Sequence, residues 1–130
     1  MECPDCTVEL VAFTVPPEYR DHLPGSEPGA GLCPHCLSFE AVTDPPAETP
    51  DFDRVGEAFP TAPDAALPLA LLVGLLSNLA LYRSEIAALL EAVERAGTDP
   101  LLVLDRLDRD ESIETDLDLT GRRTQLEQLL

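Results

Sequence analysis

The pattern of apolar and polar positions changes period along the chain. Thr7-Val8-Glu9-Leu10-Val11-Ala12-Phe13-Thr14-Val15 is dense in β-branched and aromatic residues and stops at Pro16-Pro17, which predicts one strand. Leu37-Ser38-Phe39-Glu40-Ala41-Val42 alternates apolar with polar, the pattern of a half-buried strand. The stretch between them, through Gly25, Pro28, Gly29 and Gly31, reads as a loop. From Asp44 to Asp64 the residues Pro45, Pro46, Pro50, Pro60 and Pro63 stand among acidic neighbours, the composition of a stiff, solvated linker. Phe52, Val55 and Phe59 interrupt it at near-helical spacing and fit a short turn docked on one of the halves.

The second half has helical period. The run from Leu67 to Tyr82 carries no charge. It falls short of the roughly 20 residues a membrane span needs. It also contains Pro68, Gly74, Ser77 and Asn78 and lacks basic residues before it, so it predicts a buried helix and no membrane span. Pro68 suits the first turn of such a helix, where its missing N–H is not needed. Leu69, Leu72, Val73, Leu76 and Leu79 make one face, and Leu67, Leu71 and Leu75 a second. A helix apolar nearly all round is central in a bundle or shared between subunits, which makes Leu67, Leu71 and Leu75 the candidate interaction face.

Ser84 is placed to cap a second helix with the stripe Ile86, Leu89, Leu90 and Val93, stopped by Gly97. The pattern leaves open whether the first two helices run on through Tyr82. Asp99-Pro100 opens a third helix through Leu101, Leu104 and Leu107, and a fourth, Thr120 to Leu130, ends in Leu126, Leu129 and Leu130. The expected fold class is α+β: a small N-terminal β unit over residues 1–43, a Pro-rich acidic linker over 44–64, and a C-terminal bundle of three to four helices over 65–130.

Four cysteines then decide what the β unit is. They stand as Cys3-Pro4-Asp5-Cys6 and Cys33-Pro34-His35-Cys36. Two residues between paired thiols let both sulfurs turn toward one point, and two such pairs supply the four soft ligands that tetrahedral Zn²⁺ prefers. The expected ligands are Cys3, Cys6, Cys33 and Cys36, around one structural zinc; iron is the second choice, because four thiolates do not exclude it. Each pair leads into a short strand, the layout of a zinc ribbon. So small a sheet has little apolar area, and metal binding is expected to contribute most of its folding free energy. A metal already held by four thiolates has no coordination position left for water or substrate, so the site is expected to be closed and non-catalytic.

Charge changes the reading of partners. Among 130 residues there are 25 acidic and 8 basic ones, a net charge of −17, and every basic residue is arginine. Such a surface fits a salt-saturated cytoplasm, where carboxylates keep the protein hydrated. At 1 M salt the Debye length is roughly 3 Å, so acidity reports habitat before it reports partners, although it also fits one basic partner. The start Met1-Glu2-Cys3 lacks a basic and an apolar leader region, so a cytoplasmic location is expected. Reducing conditions there favour metal over disulfide.

The remaining constellations carry less. Cys33-Pro34-His35-Cys36 is similar to the active-site motif of strongly oxidising thioredoxin-fold proteins. That chemistry needs the first cysteine at a helix N-terminus, whereas a strand is expected here. His35 reads as an exposed turn tip and His22 as a loop residue. Asp108, Asp110, Ser112, Glu114, Asp116 and Asp118 fall at every second position, but Ile113 and Leu119 stand where a calcium loop requires Gly and Glu, so a solvated connection is expected. No phosphate loop, catalytic triad or carboxylate pair in apolar context is present, and an enzyme is not expected.

With its two Cys-Pro-x-Cys turns, Asp99-Pro100-Leu101-Leu102 and Gln125-Leu126-Glu127, the chain resembles a family of small uncharacterised proteins from halophilic archaea. The turns resemble those of zinc ribbons generally, with Thr7 and Leu37 where ribbons often place Gly. The leading expectation is a non-enzymatic adaptor that self-associates or binds another protein. A nucleic-acid accessory factor is the first alternative, with Arg20, Phe13, Tyr19 and Phe39 as the available contacts, and a thiol-disulfide protein the second.

Overall fold

The computed structural model describes residues 1–23, 25, 27–48 and 50–129. It is a mixed α+β arrangement, with a three-stranded antiparallel sheet and five α-helices. The strands are β1 (Val11–Thr14), β2 (Gly29–Leu32) and β3 (Phe39–Val42), in the order β1-β2-β3, with Val11 opposite Leu32 and Leu32 opposite Phe39. The helices are α1 (Pro17–Arg20), α2 (Pro63–Leu75), α3 (Arg83–Arg95), α4 (Pro100–Asp108) and α5 (Leu119–Glu127).

The predicted first strand is present as its second half, β1, with Glu9 adding an isolated bridge to Glu2. Val11, Phe13 and Val15 point into the core while Thr14 faces out, the period-2 pattern of the sequence. The stretch expected as a loop contains the central strand, β2. All four of its residues are buried, so nothing alternates, and its glycines are there because neighbours approach closely. A Cβ on Gly31 would sit 2.9 Å from Leu10 Cδ1, and one on Gly29 would meet Pro45.

The acidic, proline-rich segment sends three side chains inward. Phe52 to Val55 form a 3₁₀ turn capped by the Asp51 carboxylate, and Phe52, Val55 and Phe59 are all buried. Phe52 lies 5.7 Å from Phe13 and 5.6 Å from Phe59 between ring centroids, joining the sheet to the segment that leads into α2. One hydrophobic cluster takes buried residues from the sheet, from this turn and from all of α2 to α5.

Helix α2 lies at the centre of that cluster, packed on β2 and on α3. It begins earlier than expected, with Pro63 in its first turn, so Pro68 falls inside the helix. The N–H that Pro68 lacks would have met the carbonyl of Asp64, an exposed residue of the first turn. Leu71 and Leu75 are buried and Leu67 is half-buried against the same core. Of the candidate interaction face, Leu71 and Leu75 are therefore covered within the chain, because α2 is central, while half-buried Leu67 lines a surface groove with Tyr19 and Arg95.

Helices α2 and α3 are separate, divided by a 3₁₀ turn at Leu76–Asn78. Helix α3 starts at Arg83 without a side-chain cap, so Ser84 lies inside its first turn. Gly97 ends it at φ 90°, with Gly97 N–H bonded to Glu94 O and Thr98 N–H to Val93 O, the paired bonds of a Schellman end. Asp99 caps α4 through the N–H groups of Leu101 and Leu102, and Asp118 caps α5 through Gly121. Arg123 on α5 reaches Asp105 on α4 at 2.6 Å and also pairs with Glu127. Leu126 is buried and Leu129 half-buried, as expected of the last helix; Leu130 lies outside the described residues.

Because Phe52 bridges two aromatic neighbours in the core, Phe52→Ala is expected to cost about 3–5 kcal/mol. Denaturant unfolding at high salt measures this. A loss below about 1 kcal/mol would mean the turn is only resting on the surface.

Candidate metal centre

The two cysteine pairs are built as the same turn twice. In the first knuckle (Cys3–Cys6) the N–H of Thr7 bonds to Cys3 O at 2.9 Å and the N–H of Cys3 to Val8 O at 2.8 Å. In the second (Cys33–Cys36) Leu37 N–H bonds to Cys33 O at 2.9 Å and Cys33 N–H to Ser38 O at 2.8 Å. The second knuckle is the tip of the hairpin from β2 to β3, so the pairing of those strands fixes its direction. The first is closed by the Glu2–Glu9 bridge, which the ion pair from the Met1 amino group to Glu9 reinforces at 2.9 Å.

Each turn requires left-handed backbone at the residue after its second cysteine, and Thr7 (φ 59°) and Leu37 (φ 64°) supply it. These are the positions where glycine is more usual. A side chain there costs about 1–2 kcal/mol. Leu37 offsets the cost by burying its side chain in the main core, whereas Thr7 is exposed.

The four sulfurs lie within 4.8 Å of one another, and Cys3 Sγ is 3.6 Å from Cys36 Sγ. No pair is bonded as a disulfide. Tetrahedral Zn–S bonds of about 2.3 Å would place sulfurs about 3.8 Å apart, so the donor set fits a metal ion of that size. Cys3 and Cys33 are buried with Leu10, while Cys6 and Cys36 are half-buried. The structure thus brings together all four cysteines singled out in the sequence. It leaves His22 elsewhere, beside Tyr19.

Backbone N–H groups face the sulfurs in matching fashion. The N–H of Cys36 donates to Cys33 Sγ at 3.4 Å, and the backbone of Asp5 and Cys6 favours the Cys3 thiolate as that of His35 and Cys36 favours the Cys33 thiolate. Ser38 Oγ lies 2.9 Å from Cys36 Sγ. Four thiolates on a divalent ion carry about −2 in total, and these donors disperse it. Without an ion the thiols differ. Burial opposes ionisation of Cys3, but the N–H groups of Asp5 and Cys6 and the neighbouring thiols outweigh it and bring its pKa from 9.0 to about 7. Hydrogen bonding with the Cys36 thiol and then burial push Cys6 up, and burial pushes Cys33 up.

A groove of about 950 Å³ opens beside the centre, with Cys6 and Cys36 at one end and Phe39, Leu75, Tyr82 and Leu117 along it. Phe39 covers Gly74, whose missing side chain makes room for the ring. The acidic segment between α4 and α5 walls the groove through Glu114, Asp116 and Asp118. Pattern reading assigned that segment to solvent. Its contact with the second knuckle, through Glu114 and His35, has no local signal, since the two residues lie far apart in the chain.

Fold and site together define a small α+β protein with a four-cysteine centre suited to a metal ion. The chain belongs to the family described as a family of unknown function (DUF6276), whose model matches residues 2–130. No curated protein and no solved structure matches it.

The knuckle geometry leads to two expected outcomes. Thr7→Gly is expected to stabilise the protein by about 0.5–1 kcal/mol, the relief of left-handed strain less the greater freedom of unfolded glycine, and Leu37→Gly to destabilise it by about 2–4 kcal/mol. Denaturation midpoints test the contrast, and two changes of the same sign would refute it. In the metal-free protein, ultraviolet thiolate absorbance is expected to show one group ionising near pH 7 that is lost in Cys3→Ser, with Cys6 and Cys33 ionising only at higher pH. Below that pH an incoming ion has a further proton to displace, so metal affinity should fall as pH falls through 7.

Proposed function

We propose that the protein is a non-enzymatic structural-zinc protein, a zinc-ribbon-like unit joined to helices and acting as a protein-interaction adaptor in the cytoplasm of a halophile. The observation that carries the metal assignment is the convergence of four thiols, two from each of two matching turns. An all-sulfur tetrahedral set with N–H groups aimed at the sulfurs suits Zn²⁺ in a closed site, and iron is the second candidate. Bound there, the ion supplies cross-linking of the two knuckles. Cys3, Cys6, Cys33 and Cys36 hold it, and the knuckle N–H groups and Ser38 neutralise its thiolates.

The adaptor reading rests on that closed site and on the strongly acidic exterior, which keeps a protein soluble at molar salt. Among the described residues of the helical half, the exposed large apolar side chains that remain available to a partner are Leu81 and Leu102. The alternatives draw less support. Of the residues considered for nucleic-acid stacking, Phe13 is fully buried and Tyr19 and Phe39 are half-buried. For thiol-disulfide exchange, Cys33 would need a helix N-terminus, and it sits at the tip of a β-hairpin.

Native mass spectrometry of protein purified at molar KCl is expected to show one zinc per chain, lost in Cys33→Ser. Crosslinking at the same salt is expected to trap a second protein chain. Absence of bound metal would overturn the zinc assignment, and a strict monomer that crosslinks to nothing would overturn the adaptor role.

A further inference from the structure

Between α4 and α5 the chain crosses residues 109–118 as an acidic strap over the second knuckle. Ile113 and Leu117 pack against the main core but stay half-buried, while Ser112, Glu114, Asp116 and Asp118 face solvent. The ends of the strap are tied locally. The Asp110 carboxylate accepts from the N–H and the hydroxyl of Ser112, at 2.9 and 2.6 Å, and Asp118 caps α5.

Among the described residues, the hydrogen bonds of 111–117 that reach beyond this neighbourhood go to one place. Glu114 N–H donates to the carbonyl of His35 at 2.8 Å, and Glu114 Oε2 lies 3.2 Å from His35 Nε2. His35 belongs to the second knuckle and stands directly before Cys36, whose N–H donates to the Cys33 sulfur at 3.4 Å. The residue that holds the strap with its carbonyl therefore sits inside the turn between two of the clustered cysteines, Cys33 and Cys36.

We propose that the metal centre latches the strap: metal binding holds the His35 carbonyl where Glu114 takes it, and metal loss frees residues 111–117 and removes one wall of the groove beside Cys6 and Cys36. This rests on the four-thiolate reading above. The physical basis is that β2 and β3 are four residues each, too short to hold their connecting turn firmly without the ion. Half-buried Ile113 and Leu117 give the strap little other hold, so it belongs among the segments that open most readily.

The test is amide hydrogen exchange on the full chain at molar KCl, zinc-loaded against chelated and reduced, with zinc content read by native mass spectrometry on the same samples. Zinc is expected to slow exchange at Glu114 and across 111–117 by about tenfold or more, with the central amides of α2 and α3 unchanged. Glu114→Pro, which removes the N–H, should keep one zinc per chain yet exchange as fast as the chelated form; Glu114→Gln, which keeps it, should stay protected. Equal strap exchange with and without bound zinc would overturn the latch alone. So would protection in Glu114→Pro, or a loss on chelation that spreads to α2 and α3. Failure to take up zinc would overturn the latch together with the four-thiolate reading, and the mass spectrum reports that separately.

Discussion

The architecture depends on the need to remove one helix from water on every side. Of the thirteen residues of α2, nine are buried, and no polar stripe gives it a solvent face. The sheet covers one side and α3 another, while α4 and α5 pair beside them and contribute to the same cluster. Burial of roughly 1.5–3 kcal/mol per large apolar side chain makes this the dominant favourable contribution to folding. The aromatic trio Phe13, Phe52 and Phe59 extends it into the acidic segment, which a composition-based reading leaves in solvent.

Beside that core, the cysteine centre is a satellite. Cys3, Leu10 and Cys33 form a separate buried cluster at the edge of the sheet, and the apolar area there is small. What the centre has instead is repetition: two knuckles with the same hydrogen bonds, the same left-handed residue after the second cysteine and the same N–H groups on the first sulfur. Repetition of that kind brings four donors to one point and leaves the first sulfur of each turn partly compensated before any ion arrives. The strained backbone at Thr7 and Leu37 is the cost of that geometry in a chain that lacks glycine at both places.

The two parts are joined at few points, and the joints are chemically distinct. Leu37 is one, since it comes directly after Cys36 and buries its side chain in the main core. The His35–Glu114 contact is another, polar and exposed where Leu37 is apolar and hidden. A third is Arg54, whose guanidinium donates to the carbonyl of Glu9 at 2.6 Å and so ties the aromatic turn to the end of the first knuckle.

Much of this was legible in the chain. Spacing alone named all four cysteines, because ligand geometry is local within each turn and the number of thiols matches what one ion needs. Capping residues announced α4 and the end of α3, since Asp99 and Gly97 act on their own neighbours. Tertiary structure decided the rest. Gly29-Ala30-Gly31-Leu32 has the composition of a loop, and it is a strand because Pro45 and Leu10 close over the face that Gly29 and Gly31 share while Ala30 and Leu32 are buried on the other. Leu67, Leu71 and Leu75 look like a surface for a partner, and whether such a stripe is covered from within depends on packing that periodicity does not encode. The placement of Glu114 on His35 joins residues from opposite ends of the chain, and no local pattern specifies a contact of that range.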